Sequence, residues 1–100
     1  MSRHGRPLHL TAHAIARWRE RVDTDADAAA AVDRLMQTVA SARWRSTPRH
    51  WMRETREAPG TSYGYSPATP DACFIRQGEA VITVLTRSMF AQRRAAVERW

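Results

Sequence analysis

One hundred residues, 43% of them hydrophobic, make a single domain with one core, and no apolar run approaches the roughly 20 residues that a membrane helix needs. Sixteen basic residues against ten acidic ones leave a formal charge of +6 and a pI near 11.2, a balance that favours polyanionic partners. The lone Cys73 excludes an internal disulfide, and with no apolar segment behind the basic N-terminus the expected compartment is cytoplasmic, without membrane contact.

Residues 1–8 read as a basic flexible arm, 9–87 as the core and 88–100 as a C-terminal helix, all within one domain. Thr11 is a fair N-cap, and Ile15, Trp18 and Val22 recur at helical spacing up to Asp23. On that first helix His13, Arg17 and Arg21 fall four residues apart and form one polar stripe. An imidazole beside two guanidinium groups suits an anionic target, because His moves protons near neutral pH and Arg grips phosphate oxygens in pairs. The same stripe is also what an ordinary solvated helix face in an Arg-rich chain looks like.

Thr24, with Asp27 in the capping-box position, opens a second helix whose Ala28, Val32, Leu35, Met36 and Val39 form the apolar face. Asp23, Asp25 and Asp27 suit its positive end, and Arg43 and Arg45 its negative end. From Arg43 to Glu57 no helical period remains, and Pro48 argues against a continuous helix. Arg43, Trp44, Arg45, Arg49, His50, Trp51 and Arg53 interleave cations with aromatic rings, so this connector is the expected nucleic-acid contact, with rings stacked on bases and guanidinium groups on phosphates. The competing reading makes at least one of the two Trp a lid on the core.

After the turn at Pro59-Gly60, strands are expected around Ser62 to Ser66, Ala72 to Arg76 and Ala80 to Arg87, the last two joined as a hairpin through Gln77-Gly78-Glu79. Strict alternation in the last strand would put Ala80, Ile82, Val84 and Thr86 on one face, and Val81, Thr83, Leu85 and Arg87 on the other. Ser88 can cap a closing helix that buries Phe90, Val97 and Trp100 and leaves Arg93, Arg94 and Arg99 in solvent. The expected class is therefore α+β: two N-terminal helices packed on a three- to four-stranded antiparallel sheet, with a short C-terminal helix. His4, His9, His13 and His50 show no metal-ligand spacing, and there is no Gly-rich phosphate loop or nucleophile elbow, so neither a metal nor another cofactor is expected.

The run from His13 through Arg17 to Arg21, followed by a second helix and a sheet ending in Val81-Ile-Thr-Val-Leu-Thr-Arg87, resembles small bacterial and phage domains related to the RelE, barnase and EndoU-like ribonuclease toxins. The resemblance spans most of residues 9–87. It implies helices on one face of an antiparallel sheet and metal-independent RNA cleavage on the other side, with His13, Arg17, Arg21, Thr86 and Arg87 as the matching positions. The chain offers no well-placed Glu of the kind that barnase-like members use as a base, and no Lys of the kind common in RelE-like members.

Three functional readings follow. In the first, a metal-independent endoribonuclease, His13 or His50 takes the 2′-hydroxyl proton. The other His, Tyr63 or Tyr65 then protonates the leaving oxygen, while Arg17, Arg21 and Arg87 stabilise charge on phosphorus. In the second, a non-catalytic module binds nucleic acid, RNA rather than DNA. In the third, the domain docks on a protein such as an antitoxin or a host target through Trp44, Trp51 or Trp100.

Overall fold

The structure, a computed structural model, describes residues 8–25, 27–52 and 59–90. In chain order it contains β1 (His9–Leu10), α1 (Ala12–Arg21), α2 (Ala28–Ala40), β2 (Arg43–Arg45), β3 (Thr61–Tyr65), β4 (Ala72–Gln77) and β5 (Ala80–Thr86), and residues 87–90 are again helical. The expected residues 1–7 of the arm, Arg53, and Arg93, Arg94, Val97, Arg99 and Trp100 of the closing helix lie outside the described residues.

The class is α+β, but the sheet has five strands in the order β1-β5-β4-β3-β2, and it is mixed. The expected purely antiparallel sheet of three or four strands is corrected at both edges. Strand β1, only two residues long, runs parallel to β5, with the His9 N–H donating to the Glu79 carbonyl at 2.9 Å and the Thr11 N–H to the Val81 carbonyl at 3.2 Å. Strand β2 is the supposed connector Arg43-Trp44-Arg45, antiparallel to β3. Its two-residue alternation points Trp44 toward the helices and both Arg side chains away, a pattern too short to stand out from an irregular segment. Arg43 and Arg45 are thus strand residues, not the basic end of α2.

Helix α1 starts where expected: the Thr11 Oγ1 accepts from the Ala14 N–H at 3.1 Å and lies 3.1 Å from the Val81 carbonyl, so one hydroxyl caps the helix and ties it to β5. Helix α2 starts later than the capping-box reading placed it. Asp27 is itself the N-cap, its carboxylate accepting from the Ala30 N–H at 2.9 Å, and the buried face becomes Ala31, Leu35 and Val39 while Met36 is exposed.

In β5 a bulge breaks the alternation, because Ile75 pairs with Thr83 but Arg76 with Val81, leaving Ile82 without a partner. Val81 and Val84 consequently both face the helices, and Ile82 joins the opposite side. The helix-side core gathers Trp18, Leu35, Val39, Phe74, Val81 and Val84, with the Trp18 and Phe74 rings 5.9 Å apart. The other face is also covered: Trp51 and Met52 pack on Tyr63, Cys73 and Ile75, and Phe90 meets Trp51 edge-on at 5.6 Å. An open sheet face for RNA, as the family resemblance implied, is therefore filled by apolar side chains over these strands.

Gly64 lies directly beneath Trp44, and a Cβ there would come within 2.5 Å of the indole ring. Such overpacking costs about 1–3 kcal/mol. Gly64→Ala is expected to lower the midpoint of thermal unfolding, by about 4–8 °C for each kcal/mol in a domain of this size. An unchanged melting curve would contradict the seating of Trp44 on the sheet.

Candidate anion-binding site

One end of the sheet carries the C-terminal ends of β3 and β5 and the start of β4, and the loop from Ser66 to Asp71 crosses it. Tight turns shape this loop: the Ala68 N–H donates to the Ser66 hydroxyl at 3.2 Å, the Thr69 N–H to the Ser66 carbonyl at 3.1 Å, and the Ala72 N–H to the Thr69 carbonyl at 3.0 Å. Between the loop, the end of α1 and residues 86–88 opens a cleft of about 610 Å³. That volume suits a small-molecule fragment or a nucleotide unit.

Arg21 and Arg87 both line this cleft, together with Asp71, Thr69, Thr86 and Ser88, while Val22 and Pro70 supply apolar wall. Arg21 is fixed in place: its Nη1 donates to the Val84 carbonyl at 2.6 Å, on the β5 edge beyond the reach of β1. Capping that carbonyl also blunts an exposed strand edge. Arg87 is held by its backbone, whose N–H donates to the Asp71 carbonyl at 2.8 Å, and its side chain is exposed. Thr86 and Ser88 share a hydrogen bond of 3.2 Å, whereas the buried Thr69 Oγ1 has no partner. Two guanidinium groups and three hydroxyls against one carboxylate make a concave surface suited to an oxyanion.

The helical stripe is divided by this geometry. Arg21 enters the cleft; Arg17 pairs with Glu20 at 2.6 Å on the helix surface; His13 is exposed in the first turn, eight residues before Arg21 and so about 12 Å away along the axis. Neither His13 nor Arg17 lines the cleft, and neither does His50, which is exposed on the turn before Trp51. Proximity in the helical wheel placed the three together; length along the axis separates them.

Within the Arg-Trp segment the rings serve the core. Trp51 is buried and Trp44 is half-buried over Gly64, with the Arg76 guanidinium 5.2 Å from its ring. The cations gather elsewhere: Arg49 lies 4.3 Å and Arg45 5.4 Å from the centre of the Tyr65 ring, and Arg43 is exposed opposite Tyr65 in the register. Arg49 Nε is buried without a hydrogen-bond partner. Sequence reasoning overlooked Asp71, Thr69 and Ser88 as lining residues; the turn-forming Pro67-Ala68-Thr69-Pro70-Asp71 run was their visible signal.

Cys73 is fully buried under the second face, and burial pushes its thiol from the ordinary 9.0 up to about 12, despite opposing contributions from the Arg49 charge and the Gly64 backbone. A nucleophilic thiolate at neutral pH is not available there. Among the described residues no three His, Cys, Asp or Glu side chains gather as a metal set, and no helix is long and apolar enough to cross a membrane. Comparison with protein-family models, with curated proteins and with solved structures finds no match.

The Cys73 thiol is expected to resist aromatic disulfide reagents in the native protein up to about pH 9 and to react in full once guanidinium unfolds it. Because the folded state favours the neutral thiol, this group's stabilising contribution is complete below pH 9.0 and is lost as pH rises from there toward about 12. Rapid modification of the native protein at neutral pH would contradict the burial.

Proposed function

We propose that this domain binds single-stranded nucleic acid, RNA in preference to DNA, by gripping a backbone phosphate between Arg21 and Arg87. The observation that carries the reading is the convergence of these two cations, from the end of α1 and the end of β5, on one cleft. The basic balance of the chain would draw a polyanion toward it. Thr69, Thr86, Ser88 and Asp71 supply donors and acceptors for a 2′-hydroxyl, the group that distinguishes RNA from DNA. A recess of about 610 Å³ can take in one nucleotide unit, and an unpaired strand can turn its base into it.

Metal-independent cleavage, in the manner of the RelE, barnase and EndoU-like ribonuclease toxins that α1 and β5 resemble, is the stronger form of the same proposal. Arg21 and Arg87 would stabilise charge gathering on phosphorus. The proton acceptor at the cleft would be Asp71, because His13 is about 12 Å away along α1. Docking on an antitoxin or host protein has less support, since Trp44 and Trp51 are engaged in the core.

Titrating labelled single-stranded RNA in EDTA at several salt concentrations tests the binding. Log affinity should fall with log salt by about 0.7 for each phosphate contacted, and Arg87→Gln should weaken binding and reduce the slope by about that amount. His13→Ala should leave both unchanged. A salt-independent affinity, or an Arg87→Gln protein that binds as well as the parent, would remove the proposal. Fragments on a gel from the same samples, lost in Asp71→Asn while binding persists, would extend it to cleavage.

A further inference from the structure

We infer that Tyr65, with Arg45 and Arg49 gathered on its ring, is a second subsite for the same strand, reached from the cleft around the Ser66–Asp71 loop; this rests on the reading that the cleft holds a nucleic-acid phosphate. The topology places the two sites together. Tyr65 ends β3 and Thr86 ends β5, at the same end of the sheet, with only the start of β4 between them. Two strand spacings separate their backbones by about 10 Å, while the Tyr65 side chain leaves the Trp51 face of the sheet and Thr86 the helix face. A strand joining the two sites must therefore round the sheet end over the Ser66–Asp71 loop, a path longer than that separation. The loop between the sites begins immediately after Tyr65, and its Ala68, Thr69 and Pro70 already form a wall of the cleft.

The chemistry of the Tyr65 cluster complements that of the cleft. Two guanidinium groups lie 4.3 and 5.4 Å from one ring centre, so two positive charges share the negative electron cloud of a single ring. Among the described residues neither Arg45 nor Arg49 has an ion-pair partner, and Arg49 Nε is buried with its hydrogen-bonding capacity unused. A phosphate beside them would neutralise charge that no carboxylate among the described residues balances. The half-exposed ring and the flat guanidinium groups provide a surface for base stacking beside that phosphate. Trp44 and Trp51, the more obvious aromatic candidates, are committed to packing, so the stacking role falls to Tyr65.

Affinity for a series of oligoribonucleotides separates the two sites. A dinucleotide, held by the cleft alone, should bind Tyr65→Leu as well as it binds the parent. A tetranucleotide or hexanucleotide should bind the parent more tightly than the dinucleotide does, and Tyr65→Leu should lose about tenfold of that affinity while Tyr65→Phe retains it. Arg45→Gln, at an exposed position where misfolding is not at issue, should also weaken only the longer ligands. Arg87→Gln should weaken every length. If length brings no gain, or if Tyr65→Leu and Arg45→Gln leave the gain intact while Arg87→Gln weakens all lengths, the second subsite is overturned and the cleft stands. If no oligonucleotide binds, or Arg87→Gln is without effect, both fall together.

Discussion

Helix α1 is fastened to strand β5 at both ends, and those two contacts set the position of almost everything else. At its start the Thr11 hydroxyl caps the helix and lies against the Val81 carbonyl; at its end the Arg21 guanidinium takes the Val84 carbonyl. Between them Ala14 and Trp18 bury against the helix-side core. The Val81 and Val84 carbonyls belong to the strand edge that the two residues of β1 cover only in part, so the helix also protects that edge from pairing with another chain. The β5 bulge brings Val81 and Val84 onto the same side, which suits a helix lying along the strand.

Arg21 is held by the backbone of β5 at the rim of the cleft, with the Glu20 carboxylate 4.0 Å from its Nε but closer to Arg17. Fixing a long side chain before a ligand arrives lowers the entropy cost of binding. The apolar filling of both sheet faces has a matching consequence. With Trp18 and Phe74 on one side and Trp51, Met52 and Phe90 on the other, apolar side chains fill the middle of both broad faces, and the end of the sheet is where polar groups converge. Loop residues placed at strand ends by a rigid scaffold are where binding groups commonly concentrate.

The parts of the molecule legible in its sequence were those with a strong period. The caps and apolar spacing of α1, the existence of α2 and the long apolar run of β5 all follow from local chemistry. The edges of the sheet did not, because two residues in β1 and three in β2 are too few to show alternation, and Arg is a poor advertisement for a strand. The bulge was hidden for a different reason: register is decided by the partner strand, and Ile82 carries no mark of being unpaired. As for the candidate site, helical spacing points to Arg21 and the end of β5 to Arg87, which line one cleft, but a helical wheel discards distance along the axis and so groups them with His13, which does not line it. The Arg neighbours of Trp44 and Trp51 leave ligand contact and core lid both open in the sequence, and burial of large rings outweighs exposure when a core needs covering.

The central claim is that a phosphate-bearing strand engages the end of the sheet rather than the outer face of α1. The most direct test is a nitrogen–proton correlation spectrum recorded during titration with a short single-stranded RNA. The account predicts that the perturbed amides cluster at Arg21 and Val22, at Thr69, Asp71 and Ala72, at Thr86 to Ser88, and around Arg45, Arg49 and Tyr65. Perturbations confined to His13, Arg17 and their neighbours on the exposed side of α1, with the sheet end unmoved, would contradict it.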